Sequence, residues 1–229
     1  MRRNGKLQRT WKAGEARIDA FQEDYAFLLD ALVALYESTF DPEWIERALP
    51  LADRMIELFS DEARGGFFFT EPGRPDVLVR GKSPYENAIP SGNASAAMAL
   101  VRLARLTGRD AYAHEAEGTF RAFQAGMDRS PSGFPYLMAS LELSLTPPRE
   151  VVLVGPDEPS LEPFRQVLAR RFEPDWIVAG RAGEGGRPDL IPLLAERGPI
   201  AGRAAAYVCR DFTCQPPTTD PFSFARALG

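Results

Sequence analysis

Residues 21–38, FQEDYAFLLDALVALYES, carry apolar side chains at helical spacing: Tyr25, Leu28, Leu29, Leu32 and Leu35. The long apolar run after Glu23 and Asp24 predicts a helix buried over most of its circumference. FDPEW then opens a second helix, with Asp41 as N-cap and Pro42 in the first turn. Its apolar positions Trp44, Ala48, Leu51, Met55 and Leu58 form one stripe opposite a charged face, and Pro50 inside the run is expected to kink it. Gly65-Gly66 end this helix, and FFFT and VLVR around the turn EPGRP predict a short hairpin. Three more helices follow over 91–107, 110–127 and 134–145, the last stopped by Pro147-Pro148.

A shift of 68 residues aligns ALVALYESTFDPEW (31–44) with ALVRLARLTGRDAY (99–112), matching Ala, Leu, Val, Leu and Thr and placing Trp44 on Tyr112. A buried helix followed by an amphipathic one, twice over, is the pattern of stacked helical hairpins. After Pro148 the texture changes. EVVLVG, DWIVAG and AAAYVC read as buried strands, separated by LEPFRQVLARRF and LIPLLAER as helices. That alternation implies βαβ units with parallel pairing. The expected fold is therefore mainly α, with a helical-hairpin domain over 1–148 and a small α/β lobe with a short parallel sheet over 149–229.

With 229 residues and 45% hydrophobic content, the chain is long enough to bury a sizeable core. A net charge of −5 leaves no basic surplus for nucleic acid or an acidic membrane surface, and the basic opening MRRNGK is too short to act as a tail. No apolar run reaches the length of a bilayer span, and no apolar signal segment opens the chain. Two cysteines in 229 residues match cytosolic usage. The expectation is a soluble, cytoplasmic protein.

KSPYENAIPSGNASAAMAL (82–100) gathers polar groups at the mouth of an alanine-rich helix. Ser91 or Asn93 can cap the helix, whose free N–H groups and positive end also suit a carboxylate, a phosphate or a sugar hydroxyl. Lys82, Tyr85, Glu86 and Asn87 would line the rim of a cavity there, with Ser91 and Asn93 as further ligand-binding candidates. The same residues fit a capped helix with a hydrogen-bonded loop and no ligand. Asp24 and Tyr25 start the first helix in a similar way, and Asp24 with Glu86 is the candidate carboxylate pair for acid–base or glycosidic chemistry.

His114, the single histidine, lies between charged neighbours on an amphipathic helix, so a histidine base or a metal cluster has almost nothing to draw on. VLVGPDEPS lacks both the dinucleotide and the Walker fingerprints, and GRAGEGGRP (180–188) reads as a flexible loop; neither a cofactor nor a metal is expected. Cys209 and Cys214 have four residues between them, a spacing that is neither the C-x-x-C of redox sites nor a zinc pattern. A local disulfide or redox pair is one reading, and two ordinary thiols in a capping loop is the favoured one.

FQEDYAFLLDALVALYE, GGFFFT, KSPYENAIPSGNASAA and YVCRDFTCQPPTTDP together resemble the C-terminal third of the YyaL-like, spermatogenesis-associated thioredoxin-domain family. The resemblance runs along nearly the whole chain and leaves the family's thioredoxin-like domain and earlier hairpins outside it. It implies that the hairpins here belong to a partial (α/α)6 toroid, similar to six-hairpin glycosidases and N-acylglucosamine 2-epimerases, with a central cavity for a sugar-like ligand. One departure stands in the polar loop, where Glu86-Asn87 replaces the family's usual Asp-Gly. Three functions follow as expectations: a carbohydrate-binding or carbohydrate-processing toroid fragment; a non-catalytic assembly module, completed by another copy or by a partner polypeptide; and a redox accessory using Cys209 and Cys214. Catalysis by this chain alone is not favoured.

Overall fold

The computed structural model describes residues 2–3, 6–211 and 213–229. Part of the basic opening MRRNGK lies outside the described residues.

Three strands, β1 (Arg2–Arg3), β2 (Lys6–Lys12) and β3 (Glu15–Asp19), open the chain as an antiparallel sheet in sequence order. Lys12 pairs with Glu15 around Ala13-Gly14, both at positive φ (50° and 83°), the backbone that a two-residue hairpin turn requires. The sheet is tied to the next helix through Leu7, whose N–H donates to the Tyr25 hydroxyl at 2.9 Å.

Helix α1 (Gln22–Thr39) buries Tyr25, Ala26, Leu29, Leu32, Val33 and Tyr36. Its opposite face stays open, with Leu28 and Leu35 about two-fifths exposed, so α1 is not enclosed over most of its circumference. Helix α2 (Glu43–Phe59) continues through Pro50, which is exposed, and the Asp41 carboxylate caps it by accepting from Glu43 N–H at 3.0 Å. Helix α3 (Gly92–Thr107) is capped by Ser91, whose Oγ accepts from Ala94 N–H at 3.1 Å, and stopped by left-handed Gly108. Alanine side chains on nearly every face let α3 sit at the centre, packed against α1, α4 (Asp110–Arg129) and α5 (Pro135–Leu145).

The hairpin expected over 67–80 does not form. Phe68 N–H donates to Phe59 O and Phe69 N–H to Gly81 O, so the segment binds the end of α2 and the far side of the loop instead of pairing with VLVR. Leu78 and Val79 project into solvent, which removes the apolar face such a hairpin would bury.

Beyond Pro148, β4 (Arg149–Gly155), α6 (Glu158–Ala169), β5 (Trp176–Ala182), β6 (Ala205–Arg210), β7 (Thr213–Cys214) and α7 (Pro221–Ala227) form a four-stranded sheet, order β5-β4-β6-β7, with two covering helices. β4 and β5 are parallel, as expected, but β6 runs antiparallel to β4. The reason lies in LIPLLAER, which forms only a short turn of 3-10 helix at Pro192–Leu194; without a crossover helix the chain returns in the opposite direction.

Alternation along β4 divides the core. Val152 and Val154 join Ile177 and Ala179 against the helices α1–α5, while Val151 and Leu153 face Leu161, Phe164 and Phe224 of α6 and α7. Nearly half of the described residues are helical and about a sixth are in strands, spread over two sheets. The fold is an α/β mixture and not mainly α, and the partial (α/α)6 toroid is not its description: the second sheet does not stand apart as a small lobe but packs Val152, Val154, Ile177 and Ala179 into the core of the helices.

Candidate functional site

Two adjoining cavities open along α1, with Pro90 on the border of both. The first, about 400 Å³, lies at the N-terminus of α3 and is lined by Gln22, Phe69, Tyr85, Asn87, Ser91 and Asn93 among others. The backbones come close here: a Cβ on Gly92 would sit 2.1 Å from Gln22 Oε1 and 3.0 Å from Glu23 Cα. Only glycine lets the two helix N-termini meet at that distance.

The sequence-derived candidates divide into two groups. Tyr85, Asn87, Ser91 and Asn93 are brought together around this cavity. Tyr85 is largely exposed, with its ring 5.0 Å from Phe134. Asn93 is buried and acts as a clamp, its Oδ1 accepting from Phe67 N–H at 2.8 Å and its Nδ2 donating to Phe67 O at 3.0 Å.

The other four are engaged elsewhere. The Asp24 carboxylate accepts from Phe21 N–H at 2.8 Å and pairs with Arg9 at 3.3 Å, capping α1. Glu86 accepts from Tyr136 N–H at 2.8 Å and Leu137 N–H at 2.9 Å, capping α5. Lys82 pairs with Asp61 at 2.6 Å and lies over the Phe68 ring, while Tyr25 is buried with its hydroxyl taken by Leu7. Asp24 and Glu86 thus sit at the ends of different helices, each carboxylate holding backbone donors.

The second cavity, about 670 Å³, contains side chains that the sequence pattern did not single out: Asp30, Glu37, Arg102 and Tyr136. Tyr136 donates its hydroxyl proton to Asp30 Oδ2 at 2.9 Å. Burial pushes the Asp30 carboxyl above its ordinary value, against the lowering effects of the Tyr136 hydrogen bond and the Arg102 charge. Tyr136 is itself pushed up, by burial and by the Asp30 charge. Glu37 is raised by burial and drawn back by Arg102, whose Nη1 reaches both carboxylate oxygens at 2.9 Å. The same guanidinium donates to Trp176 O and Pro174 O, so the ion pair fastens α1 and α3 to the start of β5. The signal was available: Asp30 and Glu37 are seven residues apart, two turns along one side of the apolar run that follows Asp24.

Cys209 and Cys214 are not ordinary thiols. They are directly opposite on β6 and β7 and are joined by a disulfide, with Cα atoms 3.9 Å apart. His114 is exposed. Among the described residues no group of three or more His, Cys, Asp or Glu side chains is placed to hold a metal, and no helix is long and apolar enough to cross a membrane.

No protein-family model matches the chain. It is similar to spermatogenesis-associated protein 20 of Rattus norvegicus, 28% identical over 98% of this chain and 30% of the relative. The protein of the same name from Homo sapiens is 29% identical over 91% of this chain and 27% of the relative. An uncharacterized protein of Caenorhabditis elegans is 28% identical over 93% of this chain and 28% of the relative. The chain therefore spans about three-tenths of the length of the curated relatives it matches.

Proposed function

We propose that the chain is a member of the spermatogenesis-associated protein 20 family, and that the groove along α1 binds a small polyhydroxylated ligand of the carbohydrate class. The observation carrying this reading is the Asp30–Tyr136 pair in the wall of the larger cavity, 2.9 Å apart and partly desolvated. A carboxyl whose proton affinity is raised by burial donates to a ligand hydroxyl when protonated and accepts when ionised. Phe27 beside Asp30, and Phe69, Tyr85 and Ile89 in the smaller cavity, supply apolar faces against which the C–H side of a sugar ring packs.

The reading stops at binding. Glycoside hydrolysis uses two carboxyl groups, one as acid and one as base or nucleophile. Glu37 is held in the Arg102 ion pair and Glu86 holds the first N–H groups of α5, which leaves Asp30 alone. Saturation-transfer NMR with a panel of neutral, amino and acidic monosaccharides tests the proposal. Binding in the millimolar range or tighter, weakened by Asp30→Asn and by Tyr136→Phe, supports it; a panel with no binder sinks it.

A second reading, assembly with another polypeptide or a second copy, is supported by the open apolar side of α1 at Leu28, Ala31 and Leu35. Light scattering at several concentrations separates the two, because a monomer that binds sugars fits only the first.

A further inference from the structure

We infer that the Cys209–Cys214 disulfide is a thiol–disulfide exchange site, reduced by an incoming dithiol that attacks the Cys214 sulfur, with Arg197 stabilising the departing Cys209 thiolate. The two cysteines differ in access. Cys214 is exposed on the edge strand β7, whereas Cys209 is 2% exposed within β6. A nucleophile arriving from solvent therefore meets Cys214 first. Attack there forms a mixed disulfide on Cys214 and expels Cys209 as a thiolate. The second thiol of the reductant then displaces Cys214, leaving two reduced cysteines and an oxidised dithiol. Two electrons pass to the protein sulfurs, and two protons follow from the reductant's thiols.

The surroundings suit the buried sulfur as a leaving group. Arg197 Nη2 lies 3.2 Å from Cys209 Sγ and 3.5 Å from Cys214 Sγ. A cation at that distance favours a thiolate over a thiol, and a more stable thiolate departs faster. The guanidinium is itself fixed, donating to Leu193 O at 2.8 Å and lying 5.8 Å from the Tyr207 ring centre.

One charge opposes this arrangement. Glu150 on β4 is the register partner of Cys209, so the two side chains share a face of the sheet. Burial raises the Glu150 carboxyl, while Arg197 and Arg105 draw it down. Arg197 therefore faces both the disulfide and a carboxylate, and Arg105 of α3 completes the charged set. The site depends on the strand register and the Arg197 position, and on nothing in the α1 groove.

The test uses the full chain, with glutathione as a one-thiol probe and dithiothreitol as the dithiol. Arg210 lies between the cysteines, so tryptic cleavage separates them for mass spectrometry. The expected glutathione adduct is on the Cys214 peptide. Arg197→Gln should slow reduction by dithiothreitol about tenfold, Arg197→Lys should restore most of the rate, and Glu150→Gln should speed it. Thermal melts of each variant separate these effects from unfolding. If Arg197→Gln does not fold, the glutathione position and the Glu150→Gln rate still decide. An adduct on Cys209, reduction rates unchanged across the variants, or a reduced chain that does not re-form the disulfide in excess oxidised glutathione would overturn the inference.

Discussion

The Tyr136 hydroxyl donates to the Asp30 carboxylate at 2.9 Å across a sequence separation of 106 residues, joining the outer side of α1 to the first turn of α5. Asp30 and Glu86 approach the same tyrosine residue from different sides, one at its hydroxyl and the other at its backbone N–H. The wall of the larger cavity is therefore held through one tyrosine, and the Asp30 carboxyl and the Tyr136 hydroxyl each shift the other's proton affinity.

Asp30 gives this coupling a measurable pH signature. Its folded-state proton affinity is raised by burial above the ordinary value of 3.8, so the folded chain binds a proton that the unfolded chain releases. Stability should therefore fall as pH rises from about 3.8 through the raised value, and the cost should be complete above it. Asp30→Asn keeps an acceptor for Tyr136 but removes the titration. Urea unfolding between pH 4 and pH 7 should show a flatter profile for Asp30→Asn; a profile parallel to the unsubstituted chain would contradict the assignment.

Glu86 should behave as a helix cap. Glu86→Ala leaves Tyr136 N–H and Leu137 N–H without their acceptor and removes a negative charge from the N-terminal end of α5. The expected loss is about 1–2 kcal/mol, with Glu86→Gln losing less because one acceptor oxygen remains. Denaturant melts read this directly. A Glu86→Ala chain as stable as the unsubstituted one would mean that α5 does not need the cap.

Asn93 carries a similar load in the interior. Its amide both accepts from and donates to the Phe67 backbone, at 2.8 and 3.0 Å, in a buried position. Asn93→Ala leaves two buried backbone groups unpaired, and the expected cost is about 2–3 kcal/mol. Asn93→Asp restores only the acceptor and should recover little. Calorimetric melting of the two variants checks the order.

Much of this was written in the local sequence, and the rest depended on contacts no window contains. Ser91 and Gly108 bracket α3 as cap and stop, because a hydroxyl acceptor and a left-handed glycine act within one turn. The segment KLQRTWKAGEARID did not announce β2 and β3, since its strands are largely exposed and lack the alternation that marks a half-buried sheet. AAAYVC was legible as a strand, but its direction was set by the missing crossover helix after β5. In the candidate site, Asn87 and Ser91 were found because polar residues cluster at one helix mouth. Asp30 and Glu37 were passed over as interruptions of an apolar run, and Arg102 and Tyr136 join them only through folding. The cysteine pairing likewise follows from β6–β7 register, which the spacing alone left open.

The Glu37–Arg102 pair supports the most demanding prediction. Arg102 neutralises a carboxylate that burial otherwise disfavours, and it also donates to the carbonyls of Trp176 and Pro174. Arg102→Met leaves Glu37 charged and unpaired, and the expected destabilisation is about 3–5 kcal/mol at neutral pH. Without the guanidinium the Glu37 proton affinity rises further, so the variant should regain stability on acidification as the carboxyl takes up its proton. Glu37→Gln combined with Arg102→Met removes the stranded charge and should recover part of the loss. Urea unfolding of the single and double variants at pH 5 and pH 7 measures both effects. A double variant no more stable than Arg102→Met, with no pH dependence in either, would show that the carbonyl contacts and not the ion pair hold α1 and α3 to β5.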